Sequence, residues 1–149
     1  MIIRKEFEFH MTHRLSGYEG NCHNLHGHSY RLIVGVVETK LDRLGMALDF
    51  KDLKVLVNHH ILNKVDHSTW LKDDLENSIL IKVLKSMKMK LIITNYNPTA
   101  ENMILDFWEI LSKAGIPLYT LILYETNTSS VTINKSDYER LRGNKNESE

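Results

Sequence analysis

Five histidines, His10, His13, His23, His26 and His28, fall within residues 10 to 28, and two of them form a His26-Gly27-His28 step. The pattern around them is extended. Phe7, Phe9, Met11 and His13 share one parity and Glu6, Glu8 and His10 the other, so residues 3 to 13 read as a half-buried strand whose apolar face ends on a histidine. Residues 26 to 37 read as a second strand, with His28, Tyr30, Leu32, Val34 and Val36 on one face and His26 joining them if the extended geometry begins there. A His-x-His pair on a strand sends both imidazoles to one side. With His13 from the neighbouring strand it makes three nitrogens and an open fourth position, the donor set of a catalytic zinc ion rather than a structural one. An isolated step of this kind is equally well two ordinary polar strand residues; here its neighbours favour the metal.

Composition narrows the partners. The 19 Lys plus Arg cancel the 19 Asp plus Glu, which leaves no global field for phosphate backbones and excludes a dedicated nucleic-acid binder. The single cysteine, Cys22, cannot form an intramolecular disulfide or a Cys-rich zinc site. Its flanks, Gly20-Asn21 and His23-Asn24, are not those of a core segment, and a nearby zinc ion would favour its thiolate. The first residues carry no signal-peptide or transit pattern, and no apolar run approaches the roughly 20 residues that span a bilayer. The expectation is a soluble cytoplasmic protein without a membrane partner.

The 149 residues suit one domain, expected over residues 1 to 141, with a disordered tail over 142 to 149. Gly35 in mid-strand marks a bulge or a close backbone approach. Residues 38 to 45 read as a polar hairpin loop. Asp49 caps a helix in which Phe50, Leu53, Leu56, Val57, His60 and Ile61 recur at helical spacing, ending near Lys64. Leu75, Ile79, Val83, Leu84 and Met87 mark a second helix, and a short apolar run, Leu91-Ile92-Ile93, follows. Asn97-Pro98-Thr99-Ala100-Glu101 starts a third, with Asn97 as cap and Met103, Phe107, Ile110 and Leu111 as its buried stripe up to Gly115. Residues 118 to 126 and 130 to 134 read as two strands. The order predicts an α+β domain: a four-stranded antiparallel sheet with helices on one face.

Several motifs resemble one known family in its order. They are Phe9-x-x-x-His13-Arg14-Leu15, Tyr18-Glu19-Gly20-Asn21-Cys22-His23-Asn24-Leu25-His26-Gly27-His28-Ser29-Tyr30, Gly45-Met46-Ala47-Leu48-Asp49-Phe50, Asp66-His67, Pro98-Thr99-Ala100-Glu101-Asn102 and Tyr124-Glu125-Thr126. The chain is similar over about residues 7 to 126 to the 6-pyruvoyl-tetrahydropterin synthase family, which includes 6-carboxy-tetrahydropterin synthase. The resemblance implies a tunnelling fold whose subunits form barrels stacked as a homohexamer with shared active sites. It also implies that His13, His26 and His28 hold Zn²⁺, that Cys22 is a proton-transferring thiol and that Asp66 and His67 form a relay. Glu125 would anchor the pterin, with Glu101 and Thr99 near its pocket. His10, His23, His59 and His60 match no position with a role.

These residue types suit those roles. Three neutral histidines leave a zinc ion its full charge, which acidifies substrate hydroxyls. Cys22 can move a proton near neutral pH, Asp66 can raise the basicity of His67, and Glu125 can accept two parallel hydrogen bonds from an amino-pyrimidinone edge. Blander readings stand beside them: Asp66-His67 as a solvated dipeptide, and Glu101 as a helix N-terminal charge. Glu125 within an apolar strand is harder to dismiss, because an unpaired buried carboxylate is costly. Three residues separate Cys22 from His26, as in the 6-carboxy branch of the queuosine pathway; the 6-pyruvoyl enzymes typically place five there. The reaction implied converts 7,8-dihydroneopterin triphosphate to 6-carboxy-5,6,7,8-tetrahydropterin, acetaldehyde and triphosphate. The alternatives are a 6-pyruvoyl product, a 6-hydroxymethyl product for folate synthesis, or a non-catalytic scaffold. Met11-Thr12 replace the family's usual small residues, and the stretch between Asp66-His67 and Pro98 is longer than in compact bacterial members, adding the helix near residues 73 to 88.

Overall fold

A computed structural model describes residues 1 to 143. Strand β1 (Ile2–His13) and strand β2 (His26–Val37) pair antiparallel along their whole length, from Ile2 opposite Val37 to His13 opposite His26. The alternation read from the sequence holds: Phe7, Phe9 and Met11 face inward from β1, and Tyr30, Leu32, Val34 and Val36 from β2. Strand β5 (Leu118–Thr126) lines the other side of β2, and β6 (Ser129–Asn134) closes that edge through a turn at Asn127 and Thr128. Gly35 does both things its position suggested. The β2–β5 register shifts between Gly35 and Val36, and a Cβ at Gly35 would lie 2.6 Å from Thr120 Cγ2, closer than real atoms approach.

The sheet is larger than expected and mixed. Among the described residues its six strands run β4-β3-β1-β2-β5-β6, because β3 (Ser68–Lys72) joins the end of β1 in parallel and β4 (Leu91–Thr94) joins β3, also in parallel. The four-stranded antiparallel prediction is therefore corrected. Ser68 to Leu71 are buried without interruption, so β3 carries no alternation to betray it, and the three-residue apolar run of β4 is too short to separate strand from helix. Residues 38 to 45 are not a hairpin loop. They lead from β2 toward α1, while residues 14 to 25 join the paired strands β1 and β2.

Helix α1 (Phe50–Val57) starts at its Asp49 cap, whose carboxylate accepts from Lys51 N–H. It continues through a π-helical turn (Asn58–Leu62) into the short α2 (Asn63–Val65). Leu53, Val57 and Ile61 are buried against the sheet together with Met103, Phe107 and Leu111 of α4 (Ala100–Lys113). Phe9 stacks on Tyr30 at 5.0 Å and meets Phe107 edge-on at 6.1 Å, so this layer binds helix to sheet. Each such side chain stabilises the fold by about 1.5–3 kcal/mol through burial alone.

Helix α3 (Ser78–Ser86) lies inside the second predicted helical stretch, but its predicted apolar stripe faces outward. Leu75 is 93 % exposed and Ile79 75 %, whereas Ile81 turns in. Helix α4 starts later than expected: Thr99 caps it by accepting from Asn102 N–H, and Pro98 precedes the first turn. A further helix, α5 (Lys135–Gly143), includes Arg142, which pairs with Asp106 at 2.7 Å; the expected tail thus begins with helical residues, and positions 144 to 149 lie outside the described residues.

Candidate metal and active site

The register of β1 and β2 brings three imidazoles together. His13 ends the inward parity of β1, His26 is its cross-strand partner, and His28 lies two residues further along the same face of β2. The ring centroids stand 4.6 Å apart for His13 and His26, 5.2 Å for His13 and His28, and 4.9 Å for His26 and His28. One ring nitrogen from each lies within 4.8 Å of the other two.

Backbone carbonyls set the protonation of two rings. His13 Nδ1 is 2.7 Å from Pro98 O and His26 Nδ1 2.7 Å from Asn24 O; a carbonyl only accepts, so both Nδ1 atoms carry hydrogen. Burial, partly offset by Glu125, pushes the pKa of His13 and His28 below the ordinary value, which keeps both rings neutral. With Nδ1 taken up by these carbonyls, the Nε2 atoms of His13 and His26 are turned toward each other at 3.1 Å. His28 Nε2 is buried with no hydrogen-bond partner among the described residues. A buried nitrogen without a partner, beside two others turned toward it, is unfavourable alone and is what a cation resolves. The donor set could hold a metal ion of the nitrogen-loving class.

Glu125 stands over the triad. Tyr124 pairs with Ser130 but Thr126 with Ser129, so Glu125 occupies the irregularity between them, a backbone feature that re-aims a side chain. Its carboxylate oxygens lie 4.0 Å from His13 Nε2 and 3.8 Å from His28 Nε2. Tyr30 is wholly buried beside them. Desolvation first, then the negative charge of Glu125, drives its hydroxyl far above the ordinary tyrosine range, so it stays protonated and donates to Glu125. Sequence reading placed Tyr30 in the apolar face; its polar tip next to two inward histidines was the available signal.

A cavity of about 220 Å³ adjoins the triad, lined by His13, Cys22, Thr99, Glu101, Glu125 and Val131 among others. Five residues singled out from sequence, drawn from β1, the β1–β2 loop, the start of α4 and β5, thus share one concavity. Cys22 sits in a 3₁₀ turn (Asn21–His23) and is partly exposed. Thr99 reaches the cavity while its hydroxyl serves the helix cap, and Asn97, the expected cap, instead binds Ser16 through both its amide oxygen and nitrogen.

Asp66 and His67 lie elsewhere. His67 adopts φ +58, the left-handed region that a non-glycine residue enters only when held there. The holding partner is His10, on the face of β1 opposite His13: His67 N–H donates to His10 O at 2.7 Å, and Asp66 Oδ1 accepts from His10 N–H at 2.9 Å. Asp66 Oδ1 is 3.0 Å from His67 Nδ1. Burial acts to raise the Asp66 pKa, but the His10 N–H bond and the His67 ring together hold it below the ordinary value. His67 lines a second cavity, of about 440 Å³, with His10, His28, Ser29 and Met89, whereas Cys22 lines the first.

Comparison with known proteins follows the same lines. The family model described as 6-pyruvoyl tetrahydropterin synthase matches residues 2 to 136. The chain belongs to that family. Among the family's curated members, the 6-carboxy-5,6,7,8-tetrahydropterin synthase of Haemophilus influenzae is 33 % identical over 132 residues, covering 85 % of this chain and 94 % of the relative. The protein of the same name from Synechocystis is 34 % identical over 134 residues, 87 % of this chain and 89 % of the relative. The 6-pyruvoyl tetrahydrobiopterin synthase of Dictyostelium discoideum is 29 % identical over 142 residues, 88 % of this chain and 93 % of that one. Two solved structures share the fold. An uncharacterized protein of Wolinella succinogenes superposes with a TM-score of 0.72 at 21 % identity, over 91 % of this chain and 98 % of that one. Caenorhabditis elegans 6-pyruvoyl tetrahydropterin synthase does so at 0.64 and 24 %, over 90 % and 94 %. Among the described residues, no helix is long and apolar enough to cross a membrane.

Proposed function

We propose that this chain is a zinc-dependent 6-carboxy-5,6,7,8-tetrahydropterin synthase of the queuosine pathway, a cytoplasmic lyase that converts 7,8-dihydroneopterin triphosphate and water to the 6-carboxy product, acetaldehyde and triphosphate. The observation that carries the reading is the convergence of three histidines beside a cavity that also holds Cys22 and Glu125. Two 6-carboxy-named relatives above 30 % identity and the three-residue gap between Cys22 and His26 support this branch over the 6-pyruvoyl one.

His13, His26 and His28 would hold zinc, which when bound supplies a positive charge that acidifies a substrate hydroxyl. Glu125 orients the pterin by accepting two hydrogen bonds from its amino-pyrimidinone edge, with Tyr30 O–H fixing the carboxylate. Cys22 removes and returns a proton at the reacting carbons of the side chain. Glu101 and Thr99 line the same cavity and bind the substrate near its pterin. Asp66 and His67 complete the proton relay from a neighbouring subunit: within one chain His67 lines a different cavity from Cys22, which supports a homo-oligomer, by resemblance a hexamer, with sites shared between subunits.

Mass spectrometry of the products from dihydroneopterin triphosphate tests the reaction. The expected product is the 6-carboxy pterin with acetaldehyde; a 6-pyruvoyl or 6-hydroxymethyl product alone would move the chain to another branch, and no turnover would favour a scaffold. Mixing Cys22→Ala with His67→Ala subunits tests the shared site, since hybrid oligomers regain activity only if the two residues act across an interface.

A further inference from the structure

We propose that Glu76 is a positioning residue for Cys22, tethering the β1–β2 loop to the segment that leads into α3. The proposal rests on the reading of Cys22 as the proton-transferring thiol. Glu76 Oε2 accepts from Gly17 N–H at 3.1 Å and lies 3.7 Å from Arg14 Nη2 and 3.8 Å from His23 Nδ1. Arg14, whose side chain is only 15 % exposed, donates from Nε to His23 O at 2.9 Å and places Nη2 3.0 Å from His23 Nε2. Leu15 N–H donates to Cys22 O at 2.9 Å. One carboxylate oxygen therefore grips the outgoing arm of the loop at Gly17 and the returning arm at His23, with Cys22 between them.

The tether has a rigid base. Asn77, the next residue, is wholly buried, and its Nδ2 donates to Ser16 Oγ at 2.7 Å and to Lys72 O at 2.9 Å. It locks residues 72 to 77 against the loop whether or not the Glu76 carboxylate is present. Glu76 itself is 46 % exposed, so its ion pairs contribute little to global stability. Their consequence is geometric: a misplacement of about 1 Å of a reacting group costs up to about 100-fold in rate. The added stretch between β3 and β4 thus supplies a fixture for the thiol loop.

The test compares Glu76→Ala and Glu76→Gln with the parent, all full-length and zinc-loaded, by iodoacetamide alkylation of Cys22, steady-state kinetics and thermal melting. Glu76→Ala is expected to alkylate about fivefold faster as the loop loosens, with kcat about tenfold lower, KM within about twofold of the parent and an unchanged melting temperature. Glu76→Gln keeps an acceptor for Gly17 N–H but loses the charge, and falls between the two. Alkylation of Glu76→Ala at the parent rate, or acceleration matched by a lowered melting temperature, overturns the proposal; if Glu76→Ala does not fold, Glu76→Gln decides by the same criteria. Should the parent make no 6-carboxy product, the functional reading fails on that result, and alkylation still reports separately on the tether.

Discussion

The histidine triad and the Asp66–His67 pair are held in opposite ways. The triad is assembled by the most regular part of the molecule, a twelve-residue antiparallel pairing, with His13 buried and two of its Nδ1 atoms satisfied by backbone carbonyls. The pair sits where α2 runs into β3, with the His67 side chain 76 % exposed on a left-handed backbone fastened to the outer face of β1. One arrangement is assembled within a single chain, and its three nitrogens could hold a metal ion. In the other, His67 is largely exposed and lines a cavity that Cys22 does not.

Experiments can break this contrast or sharpen it. The largest effect is expected from His26→Ala, which leaves two nitrogens: zinc affinity should fall by more than about 100-fold, measured by competition with a chromophoric chelator, while the two strands remain paired. His67→Ala should leave zinc binding unchanged, and loss of metal in that variant would join the two regions into one site. Next comes Cys22→Ala, expected to lower kcat by about 10² to 10⁴ with zinc retained; unchanged turnover would remove the thiol from the mechanism. Tyr30→Phe deletes the donor to the half-buried Glu125 carboxylate, and should raise KM about tenfold with a smaller change in kcat.

The smallest effect concerns acid stability. The Asp66 carboxyl titrates below its ordinary value in the folded chain, so its contribution is present above the unfolded value of 3.8 and is lost as pH falls through the lowered folded one. With the side chain 38 % exposed, solvent screening keeps it below about 1 kcal/mol. Asp66→Asn should flatten the acid branch of melting temperature against pH, and an unchanged branch would mean that His10 and His67 do not hold the carboxylate in solution.

Much of the site was legible before any coordinates, for reasons that differ by residue. His13, His26 and His28 were found because a strand has a period of two and side chains on one parity must share a face. Gly35 was found because a mid-strand glycine needs a cause. Asn97 was read as the cap that Thr99 provides: both can cap a helix, and only the contact between Asn97 and Ser16, 81 residues away in sequence, decides between them. The stripe of α3 failed for a related reason, since periodicity locates an apolar face without saying whether anything covers it, and among the described residues Ile81, not Leu75 or Ile79, meets the interior.

By itself the sequence determined the alternation of β1 and β2, the stripes of α1 and α4, the family and the roster of chemical groups, because each is written in local spacing. The tertiary structure decided how those groups are grouped. It added β3 and β4 in parallel, which depends on pairing between distant segments; it enlisted Tyr30 and the carbonyls of Pro98 and Asn24, whose roles depend on where other elements fall. It also separated Asp66 and His67 from Cys22 within the chain. Distance in space, unlike spacing along a strand, is set by packing between elements, and no local pattern encodes it.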